Sequence, residues 1–495
     1  MTILEFFKTV HPSVLAAKMI FRHLQEHYPV LKIADIADTT SGGTPNRGMP
    51  EYYNGDIPWV KSGELKDGVI TTCDEYITEA GLKNSSAKLF PKGTLLVAMY
   101  GANIGKTGIL DFDATTNQAV CAIFPKVDIS REFLSWYFKQ QRIDFIAVGK
   151  GGAQPNISQT IINNASIVVP DEKVQKAIVK FLERIEKGDG IDYDFFIPEV
   201  LKDVETIYKY KNSYVTLSDS FESQLTQLEN LNQAILQEAV QGKLVPQDPN
   251  DEPASELLKR IKAEKATLRQ AQGKGKKEKP LPPIKPEEIP FEIPENWVWC
   301  RLGEICEVNP RNKVDDEIDA GFIPMPMVSQ LFGVKPTYEV RKWGAIKKGF
   351  THFANNDVVI AKITPCFENS KAGIISDLPN GIGAGTTELN VLRGNQYILP
   401  EYVYAFVKRI DFLKNGERIM KGVAGQQRVP TDYFYNTLIP LPPLAEQKRI
   451  VAEIEKQFAK TKQLKEHIIA NQQATEQLLK ALLHQAFEVK EMEEV

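Results

Sequence analysis

The sequence predicts an α+β fold in which two mixed α/β lobes are each followed by a long helix, giving an internal repeat with pseudo-two-fold symmetry. Two observations carry this prediction. Sequence blocks of the first half recur in the same order in the second half. Each half also ends in a polar segment whose apolar residues recur at helical spacing. At 495 residues the chain is, besides, too long for a single hydrophobic core.

The repeat is carried by several matching blocks that keep one order and a nearly constant offset. Three of the pairs are Arg142-Ile-Asp-Phe145 with Arg409-Ile-Asp-Phe412, Gln154-Pro-Asn-Ile157 with Gln426-Gln-Arg-Val429, and Gln175-Lys176 with Gln447-Lys448. Such an ordered set of matches indicates the duplication of one ancestral unit.

Each lobe begins with short β-rich segments, continues in an aromatic-rich helix and closes with a proline-containing strand. The predicted ranges are 94–100, 118–124, 132–145 and 168–170 in the first lobe, and 357–363, 388–392, 401–415 and 441–443 in the second.

These elements define a plan of six segments. They are an N-terminal helix at 1–28, a first lobe at 29–170, a helical spacer at 171–243, a linker at 244–295, a second lobe at 296–442 and a second helical spacer at 443–490. An insert at about 187–211 contains Gly188, Gly190 and Pro198, and is expected to leave the helix rather than lengthen it. Lys274, Lys276, Lys277 and Lys279 in the linker indicate a solvated segment, with phosphate contact as the alternative.

The two long helices are expected to pair with each other as an antiparallel coiled coil. A narrow apolar stripe on an otherwise polar helix needs a partner, and the duplication supplies one in the same chain. The alternative is that each helix packs on its own lobe. The stripe residues are Leu217, Phe221, Leu228, Leu231 and Ile235 on the first helix, and Ile450, Ile454, Phe458, Leu464, Ile468, Leu478 and Leu482 on the second.

Composition restricts the possible functions. The net charge of −4 gives no basic signature, so nucleic-acid binding would depend on locally placed lysine and arginine or on a partner. No segment approaches the length of a membrane helix. The five cysteines contain no C-x-x-C pair, which argues against a zinc site and against a disulfide framework and favours the cytoplasm.

The sequence contains no G-x-S-x-G elbow, no G-x-G-x-x-G after a strand and no Asn/Asp-Pro-Pro-aromatic tetrad of an amino-methyltransferase. Gly101-Ala-Asn-Ile-Gly105-Lys106-Thr107 resembles a phosphate-binding loop but has the wrong glycine spacing, and the next residues, 108–111, are expected to turn instead of forming a helix. His23 and His27 have the spacing to share a metal, but no third ligand is evident. The acidic residues after Pro170 are explained by a helix N-terminus. No metal site is therefore predicted.

Polar loops recur at equivalent places in both lobes and indicate a binding function. Asparagine and glutamine can pair with adenine, arginine and lysine with guanine or phosphate, although any single loop could be an ordinary turn. The candidate DNA-binding residues are Arg47, Lys61, Asn103, Lys106, Gln154 and Asn156 in the first lobe and Lys362, Lys371, Gln426, Gln427 and Arg428 in the second.

Several segments resemble the specificity subunit of type I restriction–modification enzymes. Ser41-Gly-Gly-Thr-Pro45 with Asp56-Ile-Pro-Trp-Val-Lys-Ser-Gly-Glu-Leu65 is typical of the opening of a target recognition domain in that family. Ala234-Ile-Leu-Gln-Glu-Ala-Val-Gln-Gly-Lys-Leu244 with Asp251-Glu-Pro-Ala-Ser-Glu-Leu-Leu258 is similar to its central conserved region. Leu441-Pro-Pro-Leu-Ala-Glu-Gln-Lys-Arg-Ile-Val451 resembles the start of its second conserved helix. The resemblance covers nearly the whole chain.

The resemblance implies that each lobe is a target recognition domain for one half of a bipartite double-stranded DNA sequence, and that the paired helices fix the distance between the half-sites. It also implies that two methyltransferase subunits dock on the helices and that motor-nuclease restriction subunits join the complex. S-adenosylmethionine, ATP and magnesium would belong to those partners, so this chain is expected to be non-catalytic and to hold no cofactor. The insert and the N-terminal helix depart from the family's usual pattern.

Two other functions are open. The chain could be a scaffold whose long helices join protein partners, or an enzyme with an unrecognised site. A duplicated enzyme should keep the same catalytic residues in both copies. Here the matching residues are mainly helical and apolar, whereas loop 101–105 differs from its counterpart 364–368. Divergent loops on a common frame favour the recognition of two different half-sites.

Overall fold

The computed structural model describes residues 9–149, 156–189, 198–271, 281–423 and 425–487. The chain divides into two compact units: unit 1 consists of Met1–Phe221 with Ala470–Val495, and unit 2 of Glu222–Ile469. Each unit contains one lobe and a part of each long helix. None of the described helices is long and apolar enough to span a membrane.

Unit 1 contains sheets of five, three and two strands. In spatial order the five-stranded sheet comprises Ala37–Ser41, Val120–Pro125, Leu95–Ala98, Thr107–Leu110 and Gly68–Ile70. The three-stranded sheet comprises Tyr76–Ile77, Tyr53–Val60 and Thr115–Thr116. The lobe closes where Val30–Lys32 pairs antiparallel with Ser166–Val168.

Unit 2 contains two four-stranded sheets and one two-stranded sheet. The first comprises Glu307–Val308, Leu389–Arg393, Val358–Ala361 and Ala372–Ile374. The second comprises Glu339–Lys342, Asp319–Ile323, Ile382–Gly385 and Thr351–Ala354. Val298–Arg301 pairs antiparallel with Leu438–Leu441. Four neighbouring strands of the five-stranded sheet, from Ala37–Ser41 to Thr107–Leu110, have the same spatial order and the same order along the chain as the strands of the first sheet of unit 2. This match confirms the predicted internal repeat.

The helix predicted at 132–145 is confirmed by Arg131–Val148. Unit 1 has helices at Pro12–His27, Ile33–Ile36, Glu79–Lys83, Arg131–Val148, Gln159–Asn164 and Glu172–Lys187. Unit 2 has helices at Ala254–Ala271, Leu302–Ile305, Trp343–Ile346, Pro400–Val407, Ile410–Glu417 and Thr431–Asn436. Single 3-10 turns lie at Pro50–Tyr52, Ser62–Glu64, Gly101–Asn103, Pro286–Glu288, Met325–Met327 and Pro379–Gly381. Pro198–Gln241 and Leu444–Phe487 are the first and second long helices, of 44 residues each. The expectation that the insert at 187–211 leaves the helix is wrong for 198–211, which form the start of the first long helix.

The continuous helix predicted at 401–415 is wrong, because the chain breaks at Arg409, which has an extended backbone. Gln233 of the first long helix stabilises the break. Its side chain donates to Lys408 O at 3.3 Å and accepts from Ile410 N at 2.8 Å. One amide thus satisfies a carbonyl at the end of one helix and an N–H at the start of the next.

A buried glutamine makes the same three hydrogen bonds in both units. Gln175 accepts from Ser130 N at 2.8 Å and donates to Pro170 O at 2.8 Å and to Asp128 O at 3.1 Å. These bonds tie the start of the helix Glu172–Lys187 to the loop that precedes Arg131–Val148.

In unit 2, Gln447 accepts from Leu399 N at 2.9 Å and donates to Pro442 O at 3.1 Å and Tyr397 O at 3.3 Å. Gln175 and Gln447 are almost completely buried, at 1% and 0% exposure. The glutamine of the matching Gln-Lys blocks therefore connects the same two helices in each unit, and we call Gln175 and Gln447 the clamp glutamines.

Two contacts within unit 2 show that its parts of the long helices run antiparallel. Thr461 Oγ1 donates to Asn232 Oδ1 at 2.8 Å, and Gln247 Nε2, just beyond the first long helix, donates to Glu446 Oε1 at 2.6 Å. Residue numbers therefore rise along one segment as they fall along the other. In unit 1, Tyr214 Oη lies 3.4 Å from Glu476 Oε1.

Part of the predicted apolar stripe is wrong. Leu217, Leu231, Leu464 and Leu478 are between 45% and 62% exposed. The inward positions of the second long helix instead include Thr461, which is buried, and Gln472 and Thr475, which are half-buried. The two helices therefore meet along a partly polar seam, and several of their leucines face outward.

Two segments outside the lobes are parts of the cores. In the linker, Ala254, Leu257 and Ile261 are buried in the core of unit 2. In the N-terminal helix, Ile20 and Phe21 are buried in the core of unit 1. The linker helix Ala254–Ala271 thus packs in the core of unit 2, while the lysine cluster 274–279 lies outside the described residues.

Candidate nucleic-acid interface

The first polar loop of each lobe ends on a lysine at an equivalent position. Ala98 N donates to Lys106 O at 2.9 Å in unit 1, and Ala361 N donates to Lys371 O at 2.9 Å in unit 2. Both lysines are half-buried. The lysine therefore keeps its place although the loop residues before it differ, as the sequence comparison indicates.

The loop that resembles a phosphate-binding motif has a different structure. Gly101–Asn103 forms a 3-10 turn, and Thr107–Leu110 is a β-strand that pairs antiparallel with Leu95–Ala98. The turn predicted at 108–111 is therefore wrong, because this segment completes a hairpin of the main sheet. A phosphate-binding loop leads into a helix, so the strand argues against that assignment.

The second polar loop places Asn156 and Arg428 at the same position of the two lobes. Asn156 forms a β-bridge with Tyr100, and Arg428 forms one with Ile363. Tyr100 and Ile363 both lie just after the equivalent strands of the main sheets. Both loop residues are exposed. The same backbone position therefore presents an amide in one lobe and a guanidinium in the other.

In unit 1, Arg47 and Lys61 share one carboxylate. Arg47 Nη2 lies 3.0 Å from Glu75 Oε2, and Lys61 Nζ lies 2.8 Å from Glu75 Oε1. The hydrogen bond from Lys61 is the largest cause of the lowered pKa of Glu75, and the same bond raises the pKa of Lys61. The Arg47 guanidinium also lies over the rings of Tyr53 and Trp59, at 4.6 and 4.9 Å.

In unit 1, further polar residues lie between Lys61 and the first polar loop. Ser62–Glu64 follows Lys61 directly, and a Cβ built on Gly63 would lie 4.0 Å from Asn103 Nδ2. Asn103 in turn belongs to the turn that follows Tyr100, the bridge partner of Asn156. The fold thus brings Arg47, Lys61, Asn103 and Asn156 onto adjoining loops.

In unit 2, Glu388 binds Arg428 through two parallel hydrogen bonds. Arg428 Nε donates to Glu388 Oε2 at 2.9 Å and Nη2 donates to Oε1 at 2.8 Å, while Nη1 donates to Gln426 O at 3.0 Å. This pairing lowers the pKa of Glu388. Burial lowers the pKa of the neighbouring Lys362, although the charge of Glu388 opposes this effect. The loop arginine is therefore held in one orientation.

The remaining candidates of unit 2 divide into two places. Gln427 lies next to Arg428 and is fixed through its backbone. Its carbonyl accepts from Thr364 N at 3.0 Å, and its N–H donates to Thr364 Oγ1 at 3.1 Å. Lys371 lies elsewhere, since its Nζ is 3.5 Å from Met325 O. In unit 1, Gln154 lies outside the described residues.

Sequence reasoning identified the basic residues of both groups but missed the two glutamates that hold them. Glu75 has no counterpart in the repeat that could have drawn attention to it. Glu388 is the first residue of the strand predicted at 388–392, where an acidic residue is unremarkable. A search for one carboxylate near each pair of basic residues requires the fold, because these contacts join distant parts of the chain.

Two other predictions concern charged clusters outside the loops. Asp171 caps the helix Glu172–Lys187 by accepting from Val174 N at 3.0 Å, which confirms the helix N-terminus after Pro170. Near the end of the N-terminal helix, Glu26 provides the third group missed beside His23 and His27. The possible ligand atoms of these three residues lie within 4.8 Å of one another.

A family profile described as the type I restriction modification DNA specificity domain matches the chain twice, over residues 25–192 and 294–471. These two matches fall on the two lobes and the helical segments that follow them. The duplication found within the sequence is therefore a duplication of this domain.

The chain is also similar to the specificity subunits of two Escherichia coli type I restriction enzymes. It is 52% identical to that of EcoAI over 270 residues, 54% of this chain and 46% of that protein. It is 50% identical to that of EcoEI over 258 residues, 52% of this chain and 43% of that protein. The chain thus spans less than half the length of these curated relatives.

Among solved structures, a chain from work on complex assembly and conformational transition of the type I R-M system is similar to 93% of this chain, and 97% of that chain is covered. The TM-score is 0.49 and the sequence identity 16%.

Proposed function

The chain belongs to the family of type I restriction–modification DNA specificity proteins, and we propose that it binds a bipartite double-stranded DNA target, one half-site per lobe. The observation that carries this proposal is the equivalent placement of Asn156 and Arg428. An amide reads adenine through paired hydrogen bonds and a guanidinium reads guanine. Because the same backbone position carries an amide in one lobe and a guanidinium in the other, the two lobes are suited to two different half-sites.

Within each lobe, the polar groups have the chemistry that major-groove recognition needs. Arg47, Lys61, Asn103 and Asn156 lie on adjoining loops in unit 1, and Lys362, Gln427 and Arg428 lie together in unit 2. We assign Arg428 and Asn156 to base contacts. Lys61 and Lys362 are assigned to phosphates, which fix the position of a lobe on the duplex without reading its sequence.

The long helices are proposed to act as a spacer between the half-sites and as the docking surface for two methyltransferase subunits. Leu217, Leu231, Leu464 and Leu478 are exposed on these helices, and a docked subunit would bury their side chains. Motor-nuclease restriction subunits would join the same complex. The chain's nearly neutral charge fits an arrangement in which the partners share the phosphate contacts.

We further propose that the chain is non-catalytic and acts in the cytoplasm. S-adenosylmethionine, ATP and magnesium would then bind to the partner subunits. The equivalent loop positions support the first point, because they carry Asn156 in one lobe and Arg428 in the other and share no nucleophile or acid–base pair. The five cysteines are all free thiols, which fits a reducing compartment.

Methylome sequencing of the host tests this function. Deletion of the chain should abolish adenine methylation at one split motif, and the wild-type chain should restore it. Asn156→Ala should relax one position of the first half-site and Arg428→Ala one position of the second. Arg341→Ala is a matched control, since Arg341 is an exposed arginine of unit 2 paired with Glu339 outside these loops. If no split motif changes while the partner subunits are expressed, the proposed function is wrong.

A further inference from the structure

Arg142 and Arg409 begin the block that is identical in the two lobes, but only Arg142 has a counter-ion. Arg142 Nη2 lies 2.6 Å from Asp67 Oδ1 and donates to Gly105 O at 3.3 Å. For Arg409, no ion pair with a described carboxylate is formed, and neither Nε nor Nη1 has a hydrogen-bond partner among the described residues. Arg142 Nε is unpartnered too, so the difference between the copies is the ion pair.

The unpaired guanidinium of Arg409 is buried. The residue is 8% exposed, and its Cζ lies 4.6 Å from the centre of the Phe406 ring. An arginine stays protonated in a protein, so this side chain carries its charge into the interior. A buried charge without a counter-ion destabilises the fold, and an anion bound beside it would offset that cost.

A cavity of about 660 Å³ in unit 2 gives an anion access to Arg409. Arg301, Arg409, Lys414 and Arg418 line it, together with the acidic Glu288 and Asp411. Arg301 is paired with Glu288 at 2.9 Å. Three basic groups therefore face one remaining carboxylate, and the cavity has an excess of positive charge.

We propose that this cavity binds a phosphate group. A guanidinium donates charge-assisted hydrogen bonds to phosphate oxygens, and Nε and Nη1 of Arg409 have no partner among the described residues. Lys414 and Arg418 are exposed and would contact the same group from the solvent side. The side-chain amides of Gln237 and Gln241, which also line the cavity, add neutral donors. The phosphate could belong to a small molecule or to a DNA backbone.

The test measures thermal unfolding of the full-length chain against inorganic phosphate, with sodium chloride keeping the ionic strength constant. The wild type should show a saturable rise in melting temperature, because a ligand that binds only the folded state stabilises it. Arg409→Met should weaken the apparent phosphate affinity at least tenfold. Arg418→Met, at the exposed rim of the cavity, should weaken it several-fold and covers the case in which Arg409→Met does not fold.

Arg142→Met is the matched control. It should lower the melting temperature, since Asp67 loses its partner, but leave the phosphate dependence unchanged. Phosphate stabilises proteins in general by exclusion from their surface, and that effect would be the same in all variants. The proposal is overturned if wild type, Arg409→Met and Arg418→Met respond equally, or if the wild-type rise does not saturate.

Competition identifies the source of the phosphate. Displacement of bound phosphate by a short duplex without target sequence assigns the cavity to the DNA backbone. Displacement by adenosine monophosphate alone assigns it to a small molecule, and either result supports the site. Since neither target DNA nor a partner subunit is used, failure of this test leaves the proposed sequence recognition untouched.

Discussion

Both lobes hold the arginine of a polar loop against a glutamate, but the glutamates come from different elements. Glu75 lies between two strands at the edge of unit 1, Gly68–Ile70 and Tyr76–Ile77. Glu388 stands directly before the central strand Leu389–Arg393, at the position that Ala119 occupies in unit 1, since Met99 N bonds Ala119 O as Lys362 N bonds Glu388 O. The two lobes therefore share the same sheet, but the glutamate that pairs with the loop arginine lies at a different position in each lobe.

Substitution of the clamp glutamines tests whether their hydrogen bonds stabilise the two units to the same extent. Gln447→Met and Gln175→Met should each lower the free energy of unfolding of their unit by about 2–4 kcal/mol, because each leaves a buried N–H and two carbonyls without partners. Denaturant unfolding monitored at several wavelengths measures this. The exposed Gln473→Met should change stability by less than about 0.5 kcal/mol. A large effect in only one unit would contradict the equivalence.

An exchange of the two loop residues tests whether the lobes differ only in what they read. Arg428→Asn should move the preference at one position of the second half-site from guanine towards adenine, and Asn156→Arg should do the reverse in the first. The expected discrimination is about 1–3 kcal/mol. Anisotropy titrations of the assembled complex with duplexes altered in one half-site measure it. A uniform loss of affinity across all sequences would make Arg428 a phosphate contact instead.

The polar seam of unit 2 can be tested by a double-mutant cycle. Asn232→Leu or Thr461→Val alone should lower stability by about 1 kcal/mol, because each removes the hydrogen bond between the two side chains. The two together should recover that loss, since an apolar pair replaces the hydrogen bond. Additive losses in thermal unfolding would show that the two side chains do not interact.

The smallest expected effect concerns the glutamates themselves. Glu388→Gln and Glu75→Gln remove an internal competitor for the basic groups, so binding to non-target DNA should become tighter and more salt-dependent. The slope of log K against log salt should steepen by about 0.9 for each additional phosphate contact. Glu339→Gln, which breaks the exposed pair with Arg341, is the control. An equal change in this control would mean that only net charge matters.

The fold was predictable where a repeat or a period was visible. The duplicated blocks located both lobes, and the spacing of apolar residues located the long helices. The equivalence of Asn156 and Arg428 also followed from the alignment of the blocks 154–157 and 426–429. These features depend on local pattern, or on the comparison of the chain with itself.

What was missed depends on contacts between distant residues. The helix break at Arg409 requires the amide of Gln233 from the first long helix, and nothing in the local sequence indicates it. Glu75 and Glu388 became visible only once the loops were placed. The outward-facing leucines were misassigned because Thr461, Gln472 and Thr475 take inward positions that an apolar pattern does not reveal.

The composition of unit 1 has a consequence for the order in which the protein can be completed during its synthesis. Leu479, near the C-terminal end, belongs to the same hydrophobic core cluster as Leu201, Val204 and Tyr214. Chains emerge from the ribosome N-terminus first. Every residue of unit 2 therefore leaves the ribosome before the last segment of unit 1 arrives. The unit that begins first is therefore completed last, and a nascent chain that ends after residue 469 would contain all of unit 2 but lack the last segment of unit 1.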